Sequence, residues 1–304
     1  MSTLPSMQVA LDGAMPDMGL VEAARRQLVV RDSARRSIGR RRAAGRAMQA
    51  ICLIAVPIGV APLVALVIAT VSKGAGAVNI GFLLHAPTPE GVPGGGISTA
   101  IIGSGEIVAY AIGLAVPMGL FIALFLFERP GGIASAVRFS ADVLSGVPSI
   151  VIGIFTYAVF VERFHHFSDL AAGFALGVLM LPIMVRANEE AMRTVSVDLW
   201  EAGVSLGARR SRVARSIVLR GALPGVVTGN LLAVARGVGE TAPLLFTVAS
   251  PTFAMTLLIF NDATEPFPDA QQTAWGTALV LLALVLILSV CARTVAWTLN
   301  RKTR

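Results

Sequence analysis

Charge is scarce in this chain. Asp, Glu, Lys and Arg make up only 14% of its 304 residues, while 55% are hydrophobic. Soluble domains carry about 25% charged residues, so a water-exposed globular surface over most of the chain is excluded. Cysteine is almost absent: Cys52 and Cys291 stand near opposite ends, without a partner framework or a CxxC spacing. Both read as small apolar packing residues. The three histidines, His85, His165 and His166, match no HExxH or other metal-ligand pattern. Lysine occurs only at Lys73 and Lys302. Neither lies in the GxxxxGK[ST] setting that lets a loop and its lysine hold nucleotide phosphates, so any nucleotide chemistry belongs to a partner.

Long apolar runs are abundant instead. Six of them, at about 47–71, 99–127, 141–161, 170–192, 222–248 and 274–299, reach the roughly 20 residues that cross a bilayer's hydrocarbon. These predict an all-α integral membrane protein with six transmembrane helices. The first run follows the basic stretch RRQLVVRDSARRSIGRRRAAGR. It is too long for a secretory h-region and has no small-residue cleavage pattern, so it reads as a retained span behind a basic extension, 1–46. The transmembrane domain then covers 47–299, and 300–304 form a tail.

A net charge of +7 would suggest nucleic acid in a soluble protein. In a membrane protein the placement of charge matters more. With Arg236 set aside, the basic residues divide 22 to 2 between alternate loops. The rich side holds both termini, which predicts that they are cytoplasmic and face lipid headgroups rather than nucleic acid. On the opposite side, KGAGAVNIGFLLHAPTPEGVPGGGIST and NDATEPFPDAQQ read as irregular caps. Gly173 and Gly177, and Gly221, Gly225 and Gly229, recur at four-residue spacing, which allows close helix approach within one bundle.

One connection does not read as a linker. The loop at about 194–222, within RTVSVDLWEAGVSLGARRSRVARSIVLRGALPG (193–225), predicts two short helices. Ser196 or Asp198 caps the first, and Gly207 ends it with a positive φ. The second carries Val213, Ile217 and Leu219, and Pro224 and Gly225 then lead into the membrane. Composition alone also fits a basic hairpin lying on anionic lipid.

The order Glu201, Ala202, Gly203, three residues, Gly207, nine residues, Ile217, then Leu223 and Pro224 resembles the EAA loop of ABC importer permeases. Gly203 replaces the second Ala of that pattern, and Arg220 stands where the family often has Pro. The resemblance extends over roughly 94–299 and narrows to the PstA subfamily of phosphate permeases. It is carried by GGGISTAIIGSG, by AVPMGLFIALFLFE with Pro117, Gly119 and Glu128, by GVPSIVIGIF with Pro148 and Ser149, and by GETAPLLFT. The resemblance implies a type I ABC importer fold, no catalysis by this chain, and docking of an ATPase on Glu201, Ala202, Gly203, Leu206 and Gly207. It also implies a PstC-like second permease, a PstB-like ATPase dimer that binds the ATP and Mg, and an extracytoplasmic phosphate-binding protein of PstS type. Sulfate or molybdate is the alternative oxyanion.

Within ARGVGETAPLLFT, Arg236 and Glu240 stand four residues apart, a spacing that on a continuous helix would put them on one face, able to pair. A charge at mid-membrane costs about 3 kcal/mol on insertion scales, so the pair is either a structural salt bridge or part of an anion pathway. Guanidinium matches tetrahedral oxyanions through paired hydrogen bonds. Thr241 adds a hydroxyl, and Glu240 can hold Arg236 or accept a proton from monohydrogen phosphate. Gly237, Gly239 and Pro243 predict a helix interruption there, as Pro148 does in the third span. Glu106, in GSGEIVAY, either pairs with Arg236 or faces the pathway. Two other classes compete: a membrane enzyme built on His165, His166 and Asp169, and a free-standing channel or secondary transporter. The first has no motif spacing behind it, and the second leaves the EAA-like loop unexplained.

Overall fold

A computed structural model describes residues 18–88 and 94–302. Of the extension at 1–46 and the tail at 300–304, residues 1–17, 303 and 304 lie outside the described residues. Two compact units divide the chain, Met1–Val67 and Ile68–Arg304. Helix α1, Met18–Gly74, contains the apolar segment Ala44–Gly74. Then follow α2 (Ile80–Leu84), α3 (Ser98–Glu128), α4 (Gly132–Gly146) and α5 (Ser149–Phe164). The remainder is α6 (Asp169–Arg193), α7 (Val197–Ser205), α8 (Arg210–Val238), α9 (Met255–Thr264) and α10 (Pro268–Lys302). No strand occurs among the described residues. Five helices are long and apolar enough to cross a bilayer, and α4 with α5 as one bent pair makes six.

Three spans differ from the hydropathy reading. The third, placed at 141–161, is broken: α4 and α5 meet at 98°. Proline explains the break, because it pushes its predecessor out of the helical region. Val147 is extended, with ψ of 129°, and Pro148 follows outside the helical region, with ψ of 133°. The fifth, placed at 222–248, runs from Arg210 to Val238. The second loop helix is therefore not separate: it passes through a π turn, Ala214–Val218, straight into the span. Pro224 sits buried inside that helix, where packing and neighbouring groups compensate for its missing donor. The sixth span begins at Pro268 rather than 274, since proline at the first helical position lacks only a donor that would go unpaired anyway.

The outer segments read as irregular also carry helix. Asn79 caps α2 by accepting the Phe82 amide at 2.8 Å, and α9 occupies the stretch before NDATEPFPDAQQ and its first residues.

The core is built around α6. On one side, α3 buries Gly103, Ile107, Ala111, Ala115, Gly119 and Ala123, a stripe repeating every four residues. Gly177 packs on Ala111 and Leu114, Gly173 on Ile107 and Tyr110, and Gly119 on Met184. On the other side, Gly221, Gly225 and Gly229 of α8 meet Val195, Ala191 and Ala187. Numbers rise along α6 as they fall along α8, so the two helices are antiparallel. Without a hydrophobic force between helices in lipid, such close approach gains dispersion contacts.

A Cβ at Gly229 would lie 2.6 Å from that of Ala187. We expect Gly229→Val to destabilise the chain by about 1–3 kcal/mol, measured as an earlier unfolding transition in detergent titration.

Candidate functional site

The apolar character of GETAPLLFT does not extend its helix. Helix α8 stops at Val238, and the amides of Gly239 and Glu240 fold back onto the carbonyls of Arg236 and Gly237, each at 3.1 Å. Leu244 then donates to the Thr241 carbonyl at 3.1 Å, opening a 3-10 turn at Leu244–Phe246. Arg236 therefore occupies the last helical turn, and Glu240 and Thr241 lie just beyond it. The Thr256 hydroxyl donates to the Glu240 carbonyl at 3.3 Å and ties this corner to α9.

Two glycines here do different work. Gly239 caps the helix, whereas Gly237 is buried inside it against the Met180 sulfur, so Gly237 serves close packing rather than interruption. Pro243 is buried and touches Gly153, where a Cβ would come within 2.8 Å of the Pro243 Cα. GVPSIVIGIF and GETAPLLFT, far apart in sequence, thus pack on each other.

Arg236 and Glu240 approach to 4.0 Å, Nε to Oε1. That is ion-pair range but too long for a hydrogen bond. The Arg236 side chain is 66% exposed, and no hydrogen bond to its guanidinium occurs among the described residues. Glu106 is exposed on α3 and makes no ion pair with Arg236.

In the 194–222 loop, the Ser196 hydroxyl accepts the Asp198 amide at 3.3 Å and caps α7. Gly207 takes φ of 78° just beyond it, a conformation that costs other residues a clash. Glu201, Ala202, Leu206 and Gly207 are exposed, Leu206 by 89%. Gly203 is not: it faces inward, with Val213 and Ile217 about 3.0 and 3.1 Å from where its Cβ would stand. It closes the hairpin and is unavailable to a partner. Trp200 anchors α7 from the same inner side, edge-on to Phe127 of α3 at 5.4 Å.

One cluster escaped the sequence reading. Glu189 of α6 is 3% exposed and accepts from Arg138 Nε at 2.7 Å and Arg193 Nη2 at 2.8 Å. Arg186 approaches its other oxygen to 3.8 Å. Arg138 also donates to the Leu126 carbonyl at 3.1 Å, and Arg186 forks onto Asp142, with Nε to Oδ1 at 2.9 Å. Burying a carboxylate is costly unless it is paired and hydrogen-bonded, and here two guanidiniums meet that need. The only sequence signal was the run RANEEAMR at the end of an apolar segment.

Membrane helices packed through small residues, a broken third span and an exposed helical hairpin between the fourth and fifth spans are the features that set its class. The fold is that of an ABC importer permease. A chain of the inward-facing MetNI methionine ABC transporter aligns with a TM-score of 0.56 at 16% identity, over 67% of this chain and 94% of that one. A second crystal form gives 0.54 at 18%, over 66% and 96%. The family model for the binding-protein-dependent transport system inner membrane component matches residues 115–304. The phosphate transport system permease protein PstA of Yersinia pestis is 34% identical over 283 residues, 89% of this chain and 96% of its own. PstA of Haemophilus influenzae is 35% identical over 265 residues, 83% and 94%. PstA 1 of Mycobacterium tuberculosis H37Rv is 36% identical over 223 residues, 69% and 72%. The chain belongs to the binding-protein-dependent inner membrane component family, alongside the PstA permeases. It is a multi-pass inner-membrane permease subunit.

Substituting Gly153 by Val should displace the turn that Pro243 opens. Faster hydrogen exchange at the amides of residues 239–247, with α6 unchanged, is the expected result.

Proposed function

We propose that this chain is the transmembrane subunit of an ATP-driven inorganic phosphate importer. Its relatives' names supply the substrate class. The observation in this chain that carries the reading is the state of Arg236. A structural salt bridge in low dielectric would be short and hydrogen-bonded, because only then does it offset desolvation. At 4.0 Å, with no hydrogen bond to its guanidinium among the described residues and its side chain largely exposed, Arg236 is held by Glu240 without being consumed by it. An incoming oxyanion gains paired N–H donors while Glu240 gives up no hydrogen bond.

Glu240 selects as well as holds. A carboxylate beside the guanidinium repels a fully ionised oxyanion, whereas monohydrogen phosphate carries a proton to share with it. The Thr241 hydroxyl adds a further partner next to the pair. Glu106 lines the route rather than pairing with Arg236.

The pathway forms against a homologous, PstC-like permease. A PstB-like ATPase dimer, carrying ATP and Mg, docks on Glu201, Ala202, Leu206 and Gly207. A PstS-like binding protein delivers phosphate from the other side. Closure of the ATPase on ATP moves the α7 hairpins, and because α7 is pinned to α3 through Trp200 and Phe127, the push reaches the spans.

Uptake of radiolabelled phosphate by vesicles bearing the assembled complex tests this. Arg236→Gln should cut uptake by about a hundredfold, since it removes both the charge and the paired donors, with the complex still assembled. Glu201→Lys should instead release the ATPase from the membrane fraction. Normal uptake in Arg236→Gln would defeat the pathway role, and competition by sulfate equal to that by phosphate would defeat the substrate.

A further inference from the structure

Arg236 is not the only guanidinium on its side of the bundle. Successive residues on an α-helix turn by about 100° and rise by about 1.5 Å. Where two antiparallel helices touch, the residue preceding each contact residue turns toward the same side of the pair. Arg186 precedes Ala187, which meets Gly229, and Arg236 precedes Gly237, which meets Met180. Both arginines therefore project from one side of the α6–α8 pair. Met180 lies level with Gly237, and Arg186 is six residues further along α6. The offset between the two arginines is thus about 8 Å along the helix axes, with Arg186 nearer the α7 hairpin.

The α4–α5 elbow runs past both positions. Asp142 of α4 binds Arg186, and Gly153 of α5 touches Pro243 in the Arg236 corner. In the Glu189 cluster, three guanidiniums, Arg138, Arg186 and Arg193, face two carboxylates, Glu189 and Asp142. One positive charge is left over. The two carboxylates differ in kind: Glu189 is buried and hydrogen-bonded, whereas Asp142 is 57% exposed and holds Arg186 from the open side. Arg186 itself is 42% exposed. Its fork onto two oxygens of Asp142 has the geometry in which guanidinium also binds two oxygens of a phosphate.

We propose that Arg186 is a second station for the translocated oxyanion. The inference rests on the phosphate reading above. The ion leaves Arg236 toward the α7 end and displaces the Asp142 carboxylate from Arg186. It is then released when Asp142 returns to the fork. Glu189 keeps Arg186 in place during the exchange, and Asp142 acts as a tethered competitor that prevents the site from trapping its cargo.

The assembled complex in proteoliposomes provides the test, with phosphate uptake and ATP hydrolysis read together. Arg186→Gln should lower maximal uptake roughly tenfold to a hundredfold, the loss of one charge-assisted pair, while ATP hydrolysis persists. Asp142→Asn should act in the opposite sense on affinity, lowering the KM for phosphate and slowing release, and Arg186→Lys should restore part of the uptake. The exchanged double variant Asp142→Arg with Arg186→Asp should remain defective, because a carboxylate at 186 repels the ion. A merely structural pair predicts otherwise. Equal losses in Arg186→Gln and Asp142→Asn, with uptake restored by the exchange, would overturn the inference, as would full uptake in Arg186→Gln. If Arg186→Gln fails to assemble, Asp142→Asn decides: a lowered KM supports the second station, and an unchanged or raised KM rejects it. A wild-type complex that hydrolyses ATP without moving phosphate would instead bring down the parent reading and this one with it.

Discussion

Close approach of α6 to α3 on one side and to α8 on the other fixes the register on which Arg186 and Arg236 stand. Glycine and alanine at four-residue spacing remove the side chains that would hold the helices apart. With the axes that near, the contact register is narrow: Met180 lies at Gly237, Ala187 at Gly229 and Ala191 at Gly225. Rotation of either helix would drive a Cβ into its neighbour's backbone. The direction of Arg236 and Arg186 follows from that register.

Two ionic arrangements result, and they differ in how fully they are satisfied. At the far end of α8, the Arg236–Glu240 pair is long and open, on a corner where the helix has just stopped. Toward the α7 end of α6, Glu189 is buried under short hydrogen bonds from two helices and joins α4 to α6. Low dielectric strengthens satisfied contacts and penalises unsatisfied ones. The buried cluster therefore suits an anchor, and the open pair suits exchange with a passing ion. Between them the α4–α5 elbow keeps motif residues of the third span and of the turn after the fifth in contact through Gly153 and Pro243.

Much of this was legible in the residues. The membrane helices, up to six spans, the first helix of the EAA-like hairpin between Ser196 and Gly207, and the family followed from composition, caps and motif order. Boundaries were less legible, because hydropathy windows average over places where the backbone changes course. GETAPLLFT is as apolar as the helix before it, yet the helix ends there, since Gly239 caps it and Pro243 cannot donate. The π turn at Ala214–Val218 runs the other way, extending a helix through a stretch rich in arginine. Motif position alone puts Gly203 on a docking surface and Gly237 at a helix break, but each is turned inward.

By itself the sequence determined that this protein crosses a membrane as helices, that its basic loops alternate, and that one arginine with a glutamate four residues on breaks an apolar run. These are local facts, and hydrophobic period, proline, glycine and charge act over a few residues. Only the tertiary structure decided that Arg138 would meet Glu189 across 51 positions, that Arg186 would find Asp142, and that Arg186 and Arg236 would share one side of a helix pair. The pattern of one helix states which face is apolar, but the partner for that face and the register against it come from steric fit between helices. In lipid that fit depends on a methyl group more or less at each crossing.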